Sequence, residues 1–268
     1  MIPIHVNQDF LPDEGYTAYE IDSERNLDLS FRFEKDCDVF IRLVRAKNVR
    51  IRMFVNEGVR VGILLWNNSE EKTVMDETYE VMKDADLVVA YGECNNAETK
   101  RNTYVALRGN HAHALVSSAS LVSVRKDYHI DVVNFAPHTY GDMKNYAVVL
   151  KDGTLMIDAV GKIVKGAKRS ESHQTSRALC FEDGQKSTIL PELLIDENDV
   201  QASHAMSIGR MDEDQLYYMM SRGLTLAQCT SLIATGYLMP ITDTLPNEEL
   251  KASLKQEMER KIEELCSM

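Results

Sequence analysis

Over residues 31–200 apolar and other side chains alternate with a period of two, the signature of half-buried strands. Val39-Ile41-Leu43, Val49-Ile51-Met53-Val55 and Val59-Val61-Ile63-Leu65 each place their apolar groups on one face of an extended chain. Val88-Val89-Ala90-Tyr91, Tyr104-Val105-Ala106-Leu107, His129-Ile130-Asp131-Val132-Val133 and Tyr146-Ala147-Val148-Val149-Leu150 add short runs rich in β-branched residues. The punctuation between them is polar or glycine-bearing: Glu57-Gly58, Asn67-Asn68-Ser69, Gly92-Glu93, Gly109-Asn110 and Lys151-Asp152-Gly153. Helical periodicity is scarce here. Its best example, residues 78–82, reads equally well as strand.

Many short strands without intervening helices leave a sandwich, a barrel or a β-solenoid. Asp152-Gly153 and Asp183-Gly184 are the clear hairpin-type turn pairs. A solenoid needs fewer reversals, because its coils connect by bends, so the scarcity of such pairs tilts the choice toward a β-helix. No strict residue repeat supports it further.

The last sixty or so residues change character. Asp212, with Gln215 three positions on, caps a helix carrying Leu216, Tyr217, Met219 and Met220, and Arg222-Gly223 stops it. Thr225 and Gln228 open a second helix with Leu226, Cys229, Leu232 and Ile233 as its apolar face and Gly236 as its end. A third begins near Pro246-Asn247 and runs to about Cys266, with Leu250, Leu254, Met258, Ile262 and Leu265 on one stripe. The expected division is a short N-terminal segment (1–28), a β core (29–205) and a small helical domain (206–268).

Composition narrows the function classes. The net charge of −12 over 268 residues repels phosphate, and no basic patch is concentrated enough to bind nucleic acid. Cys37, Cys94, Cys180, Cys229 and Cys266 are scattered without a CxxC pair, which suits a reducing cytosol better than a disulfide framework or a zinc finger. The N-terminus lacks a signal peptide's basic and apolar regions, and no window reaches the ~18 apolar residues of a membrane helix. The expectation is a cytoplasmic protein that binds no membrane.

Candidate chemistry is thin. His111 and His113 would share one side of a strand and could hold a metal, although packed or solvated strand histidines are the commoner case. Asp131, His138 and Thr139 lie close in sequence, but no serine or cysteine sits in a GxSxG elbow. Both the GxxxxGK[ST] phosphate loop and GxGxxG are absent. Cys180, within Ala178-Leu179-Cys180-Phe181, and Cys229 read as small buried hydrophobes, and Cys266 lies near a fraying end. Composition and motifs alone give a soluble β domain with a helical tail.

A longer motif carries more. The segment from Ser203-His204-Ala205 through Asp212-Glu213-Asp214-Gln215-Leu216-Tyr217-Tyr218 to Arg222-Gly223-Leu224 resembles the C-terminal signature of the SufB/SufD family. Asn134-Phe135-Ala136-Pro137-His138-Thr139, Gly161-Lys162-Ile163-Val164-Lys165-Gly166-Ala167 and Ser172-His173-Gln174-Thr175-Ser176-Arg177-Ala178-Leu179 are similar to family stretches in the same order. The resemblance implies a right-handed parallel β-helix, then a helical domain that docks on the SufC ATPase, in a cytosolic complex that assembles iron–sulfur clusters. It also implies that the family's N-terminal helical region is reduced here to about twenty residues.

Two departures point toward SufD rather than SufB. Aligned back from Pro191, the scaffold cysteine of SufB falls on Ser176, and the acidic residue after its signature histidine falls on Ala205. Serine is a poor substitute for a thiolate ligand. His204 is kept, and the resemblance makes it either a shared cluster ligand at the subunit interface or a structural histidine. Tyr217, Tyr218, Met219 and Met220 offer more apolar area than one buried face requires. Asp212, Asp214, Leu216, Tyr217, Tyr218, Met220 and Arg222 are therefore the expected partner-binding residues. The expected function is non-catalytic: a subunit binding a SufC-like ATPase and a SufB-like partner, with no cluster held tightly by the isolated chain and a transient one in the complex. The alternative is a minimal homodimeric scaffold acting with the ATPase alone. A β-helix polysaccharide-active enzyme, the different-class alternative, would want clustered carboxylates and aromatic sugar platforms, and Trp66 is the single tryptophan.

Overall fold

The computed structural model describes residues 1–181 and 186–266. Its first strands are β1 (Ile2–Ile4), β2 (Gln8–Phe10), β3 (Gly15–Ser23), β4 (Leu27–Phe33), β5 (Cys37–Ala46), β6 (Asn48–Val55), β7 (Arg60–Asn67) and β8 (Thr73–Val81). There follow β9 (Asp86–Glu93), β10 (Thr99–Leu107), β11 (His113–Val122), β12 (Arg125–Asn134), β13 (Tyr140–Val149), β14 (Thr154–Ile163), β15 (Glu171–Cys180), β16 (Lys186–Ile195) and β17 (Gln201–Arg210). Helices α1 (Glu213–Ser221) and α2 (Leu226–Leu238), a 3-10 turn (Met239–Thr244) and α3 (Glu248–Cys266) complete the chain.

Odd-numbered strands pair in order in one sheet and even-numbered strands in a second. Every pairing is parallel between successive odd or successive even strands. This is a β-solenoid, each coil giving one strand to each face. Asp152-Gly153 is accordingly a corner between β13 and β14, which lie in different sheets, and not a hairpin; Asp183-Gly184 lies outside the described residues. The step from one coil to the next ranges from 17 residues, Ile2 to Tyr19, up to 32, Thr154 to Lys186. No fixed period was therefore there to find. Strands begin at Ile2, within the segment 1–28 set apart above, and β17 runs to Arg210, past residue 205.

Alternation fills the lumen. One inward column reads Val39, Ile63, Val89, Val116, Met143, Gln174, all at most 2% exposed. The outer face of the odd sheet is also covered. Phe40, Leu64, Trp66, Ala90, Cys94, Ala119, Leu121 and Val148 pack against Ala234, Leu238, Ile241, Leu245, Leu254, Met258 and Ile262 of the helical region. α2, the 3-10 turn and α3 thus fold back on the solenoid instead of trailing from it. Arg42 Nη1 and Trp66 Nε1 donate to the Glu257 carboxylate of α3 at 2.8 and 2.9 Å, and Asn68 Nδ2 donates to it too.

Two details of α2 differ from the sequence reading. Its buried side is Cys229, Thr230, Ser231, Ala234, Thr235 and Leu238, while Leu226 and Leu232 are exposed. Small side chains let the helix lie close to the sheet, which apolarity alone does not reveal. Gly236 does not end the helix; it faces open space and α2 continues to Leu238.

Candidate functional site

β17 is the edge of the odd sheet, and all ten of its residues are exposed. By register Ala202, His204, Met206 and Ile208 continue inward columns above Ser172, Gln174, Ser176 and Ala178. Among the described residues no further coil closes the lumen over them. Met206 and Ile208 are 49% and 42% exposed, and Ile195, in register with the buried Ile163, is exposed at the end of β16. An edge strand with free backbone groups and uncovered apolar side chains invites a second chain.

His204 stands in this open mouth, in register with the buried Gln174. Ser176, one inward position along, is 1% exposed and receives Asn145 Nδ2 at 3.1 Å. Asn145 in turn accepts from Ser118 Oγ at 2.7 Å. A ladder of small polar groups therefore runs down the lumen to the mouth. Gln174 Oε1 and Ser172 Oγ are buried near it without hydrogen-bond partners.

Immediately after β17 comes α1. Asp212 caps it, accepting from the amides of Asp214 and Gln215 at 2.9 and 3.3 Å. Gly223, at φ +94°, closes it, with Gly223 N and Leu224 N bonded to Met220 O and Met219 O. The helix buries none of its residues. Tyr217 is 75% exposed, Tyr218 and Met220 are exposed, Leu216 is half-buried and Asp214 faces solvent. Arg222 Nη2 donates to the Tyr218 hydroxyl at 2.9 Å. These partner-binding candidates all lie on α1 or at its two caps, directly after β17 in the chain.

The other candidates disperse. His111 sits at a corner before β11 and His113 opens the strand, so the pair does not share a strand face as read from spacing. Among the described residues no group of three or more His, Cys, Asp or Glu is placed to hold a metal ion. Cys37, Cys94, Cys180 and Cys229 are free and buried. Burial, with Asp38 and Asp36 nearby, pushes the Cys37 thiol up to about 11, and burial beside Glu93 raises that of Cys94. Neither offers a ready thiolate. Thr139 is absorbed into a corner network with Asn134 and Ser170.

Sequence reasoning missed an ion cluster inside the lumen. Arg101 donates to Glu77 and Glu93 at 2.6 Å, and all three are at most 2% exposed. Lys126 Nζ, fully buried, donates to Ala97 O at 2.7 Å, Thr99 Oγ1 at 3.0 Å and Asn95. Burial lowers the pKa of Lys126 to about 8, against the pull of Glu93. The residues fall at ordinary inward positions of β8, β9, β10 and β12, so alternation gave no hint of their charge.

The solenoid and its signature helix have counterparts. The family described as SUF system FeS cluster assembly, SufBD core domain, matches residues 31–237. The chain belongs to this family. Among curated proteins, this SufBD chain is 30% identical over 184 residues to the iron–sulfur cluster assembly protein SufD of Bacillus subtilis, covering 67% of the chain and 42% of that protein. It is 24% identical over 178 residues to SufB of the same organism, 64% of the chain and 38% of that protein. It is 29% identical over 166 residues to a SufBD family protein of Pyrococcus horikoshii, 59% of the chain and 34% of that protein. The SufBD chain thus spans less than half the length of these relatives, and it stands closer to SufD than to SufB. No helix among its described residues is long and apolar enough to cross a membrane.

Proposed function

We propose that this SufBD chain is a non-catalytic subunit of a SUF-type iron–sulfur cluster assembly complex in the cytoplasm. The observation that carries the reading is the uncovered end of the solenoid, where an edge strand paired on one side only, with β15, leads into a helix none of whose residues is buried. β17 pairs edge to edge with a partner β-solenoid, either a SufB-like subunit or a second copy. α1 docks on a SufC-like ATPase through Tyr217, Tyr218 and Met220, with Leu216, Asp212, Asp214 and Arg222 around them. Few large side chains dominate such contacts.

The cluster is cargo, not a resident group. With Ser176 in place of a thiolate, and with Cys37, Cys94, Cys180 and Cys229 buried, the isolated chain holds no stable cluster. His204, at the mouth, lends one imidazole nitrogen to a transient cluster whose other ligands come from the partner.

Co-expression with SufB-like and SufC-like proteins tests the assembly. A heteromeric complex supports the subunit reading, and a stable pair with the ATPase alone turns it into a minimal homodimeric scaffold. Tyr217→Ala with Tyr218→Ala should leave the fold intact and weaken ATPase binding by about 2 kcal/mol per hot-spot tyrosine. His204→Ala should lower cluster yield in the complex and leave ATPase binding unchanged. A cluster reconstituted on the isolated chain, or full yield with His204→Ala, defeats the cluster assignment.

A further inference from the structure

The chain has seven histidines, and their ring nitrogens are not equally engaged. His129 is fully committed, Nδ1 to Asp158 at 2.8 Å and Nε2 to Asp131 at 3.1 Å. His173 is held by Ser203 at 2.7 Å and Glu171 at 3.1 Å. His113 spends Nδ1 on Asp86 and lies nearly flat on Tyr140, the ring centroids 4.5 Å apart. His111 and His138 are different. They are exposed neighbours on successive coils, their ring centroids 5.1 Å apart and tilted by 39°.

The backbone creates this juxtaposition. The corners before β7, β9, β11, β13 and β15 pass through the left-handed region at Gly58 (φ 72°), Asp84 (54°), His111 (60°), His138 (59°) and Arg169 (57°). At each of these corners the amide donates to the next coil: Asp84 N to Asn110 O, His111 N to Pro137 O, His138 N to Lys168 O. The corners therefore stack, and their side chains form a surface column reading Asp84, His111, His138, Arg169. Asp84 Oδ1 lies 3.1 Å from His111 Nδ1 and Asp84 is braced by Lys83 Nζ at 3.3 Å. An ionised carboxylate only accepts, so Nδ1 of the neutral imidazole carries the proton and Nε2 presents its lone pair outward. A carboxylate behind an imidazole is the arrangement that orients metal-ligating histidines.

We propose that His111 and His138 form an open surface site for one late first-row divalent cation of the Ni²⁺, Cu²⁺ and Zn²⁺ class. Each gives one imidazole nitrogen, and water fills the remaining positions. Such metal–nitrogen bonds are about 2.0–2.1 Å for zinc, a length that two exposed, rotatable rings at this separation can satisfy on one ion. Imidazole suits these metals, whereas Mg²⁺ and Ca²⁺ want oxygen. With two protein ligands the site binds exchangeably, unlike a closed structural zinc site. Asp84 is its positioning residue.

The test is titration of the tag-free full chain with Ni²⁺ and Zn²⁺ by calorimetry. Asparagine tolerates the left-handed backbone, so His111→Asn and His138→Asn remove an imidazole at little cost to the corner, and circular dichroism checks the fold. One equivalent should bind to the wild type and be lost in either variant. Asp84→Asn should weaken it about tenfold, and His113→Asn should leave it unchanged. Cu²⁺ electron paramagnetic resonance should show nitrogen coupling that falls in each single variant. Absence of binding to the wild type, equal binding of Mg²⁺, or binding unchanged in the double asparagine variant overturns the site.

Discussion

Replacing Glu257 by Ala should unfasten α3 from the solenoid. Its carboxylate receives Arg42, Trp66 and Asn68 from one face of the odd sheet. Arg42 and Glu257 side chains are only 16% and 19% exposed, so solvent screens the pair weakly. Removing the carboxylate leaves a largely buried guanidinium and a fully buried indole N–H without an acceptor. Breaking a buried pair from one side costs about 3–5 kcal/mol, and residual exposure here argues for the lower end, about 3 kcal/mol. For a chain of this size that is a fall in thermal midpoint of roughly 6–12 °C. Glu257→Gln keeps an acceptor for Trp66 and should lose about half as much. The assay has a built-in reporter, since Trp66 is the single tryptophan and is 0% exposed. Its emission should move to the red in Glu257→Ala at temperatures where the far-ultraviolet strand signal is intact. An unshifted emission with a midpoint within about 1 °C of wild type would refute the reasoning.

Two further outcomes follow from packing and charge. Gly92→Ala puts a Cβ 2.2 Å from Trp66 Cε3 in the neighbouring strand and should cost about 1–3 kcal/mol by denaturant midpoint; a neutral result would mean the indole is free to move. Lys126 titrates near 8 when folded and at about 10.4 unfolded. Between these values the unfolded chain holds a proton that the folded chain has released, so Lys126 makes stability rise with pH across that window. Urea midpoints at pH 8 and pH 9.5 should show this rise diminished in Lys126→Met, and equal slopes in the two proteins would exclude it.

Period-two alternation carried most of the solenoid, because Ile41, Leu43, Ile51, Met53, Ile63 and Leu65 do point inward. The helical covering was legible only in part. Ile63-Leu64-Leu65-Trp66 is a continuous apolar run, as a strand buried on both faces should be, yet what lay on the second face could not be read from the run itself. α2 misled for the opposite reason, burying Thr230, Ser231 and Thr235 while Leu226 and Leu232 stay outside. The caps of α1 and α2 were readable because Asp212 and Thr225 act on their own next turn. The openness at β17 was not, since Met206 and Ile208 have the same alternation as any covered strand. The His111–His138 juxtaposition depends on a coil step of 27 residues, shared by the coil before it but not by the next, which takes 31.

The return of α3 onto early coils changes how this solenoid comes apart and how it is made. In a repeat array each unit touches only its neighbours, and the ends can melt independently. Here Arg42 is tied to Glu257 across 215 residues, while α2 and the 3-10 turn lie on β9, β11 and β13. A clasp of this kind couples coils that do not touch, so amides of β5 and β7 should exchange together with those of α3. It also imposes a delay during synthesis. At about 5–20 residues per second, Trp66 and Leu64 wait roughly 10–40 s for their cover to leave the ribosome, a time in which that bare apolar face is a substrate for chaperones.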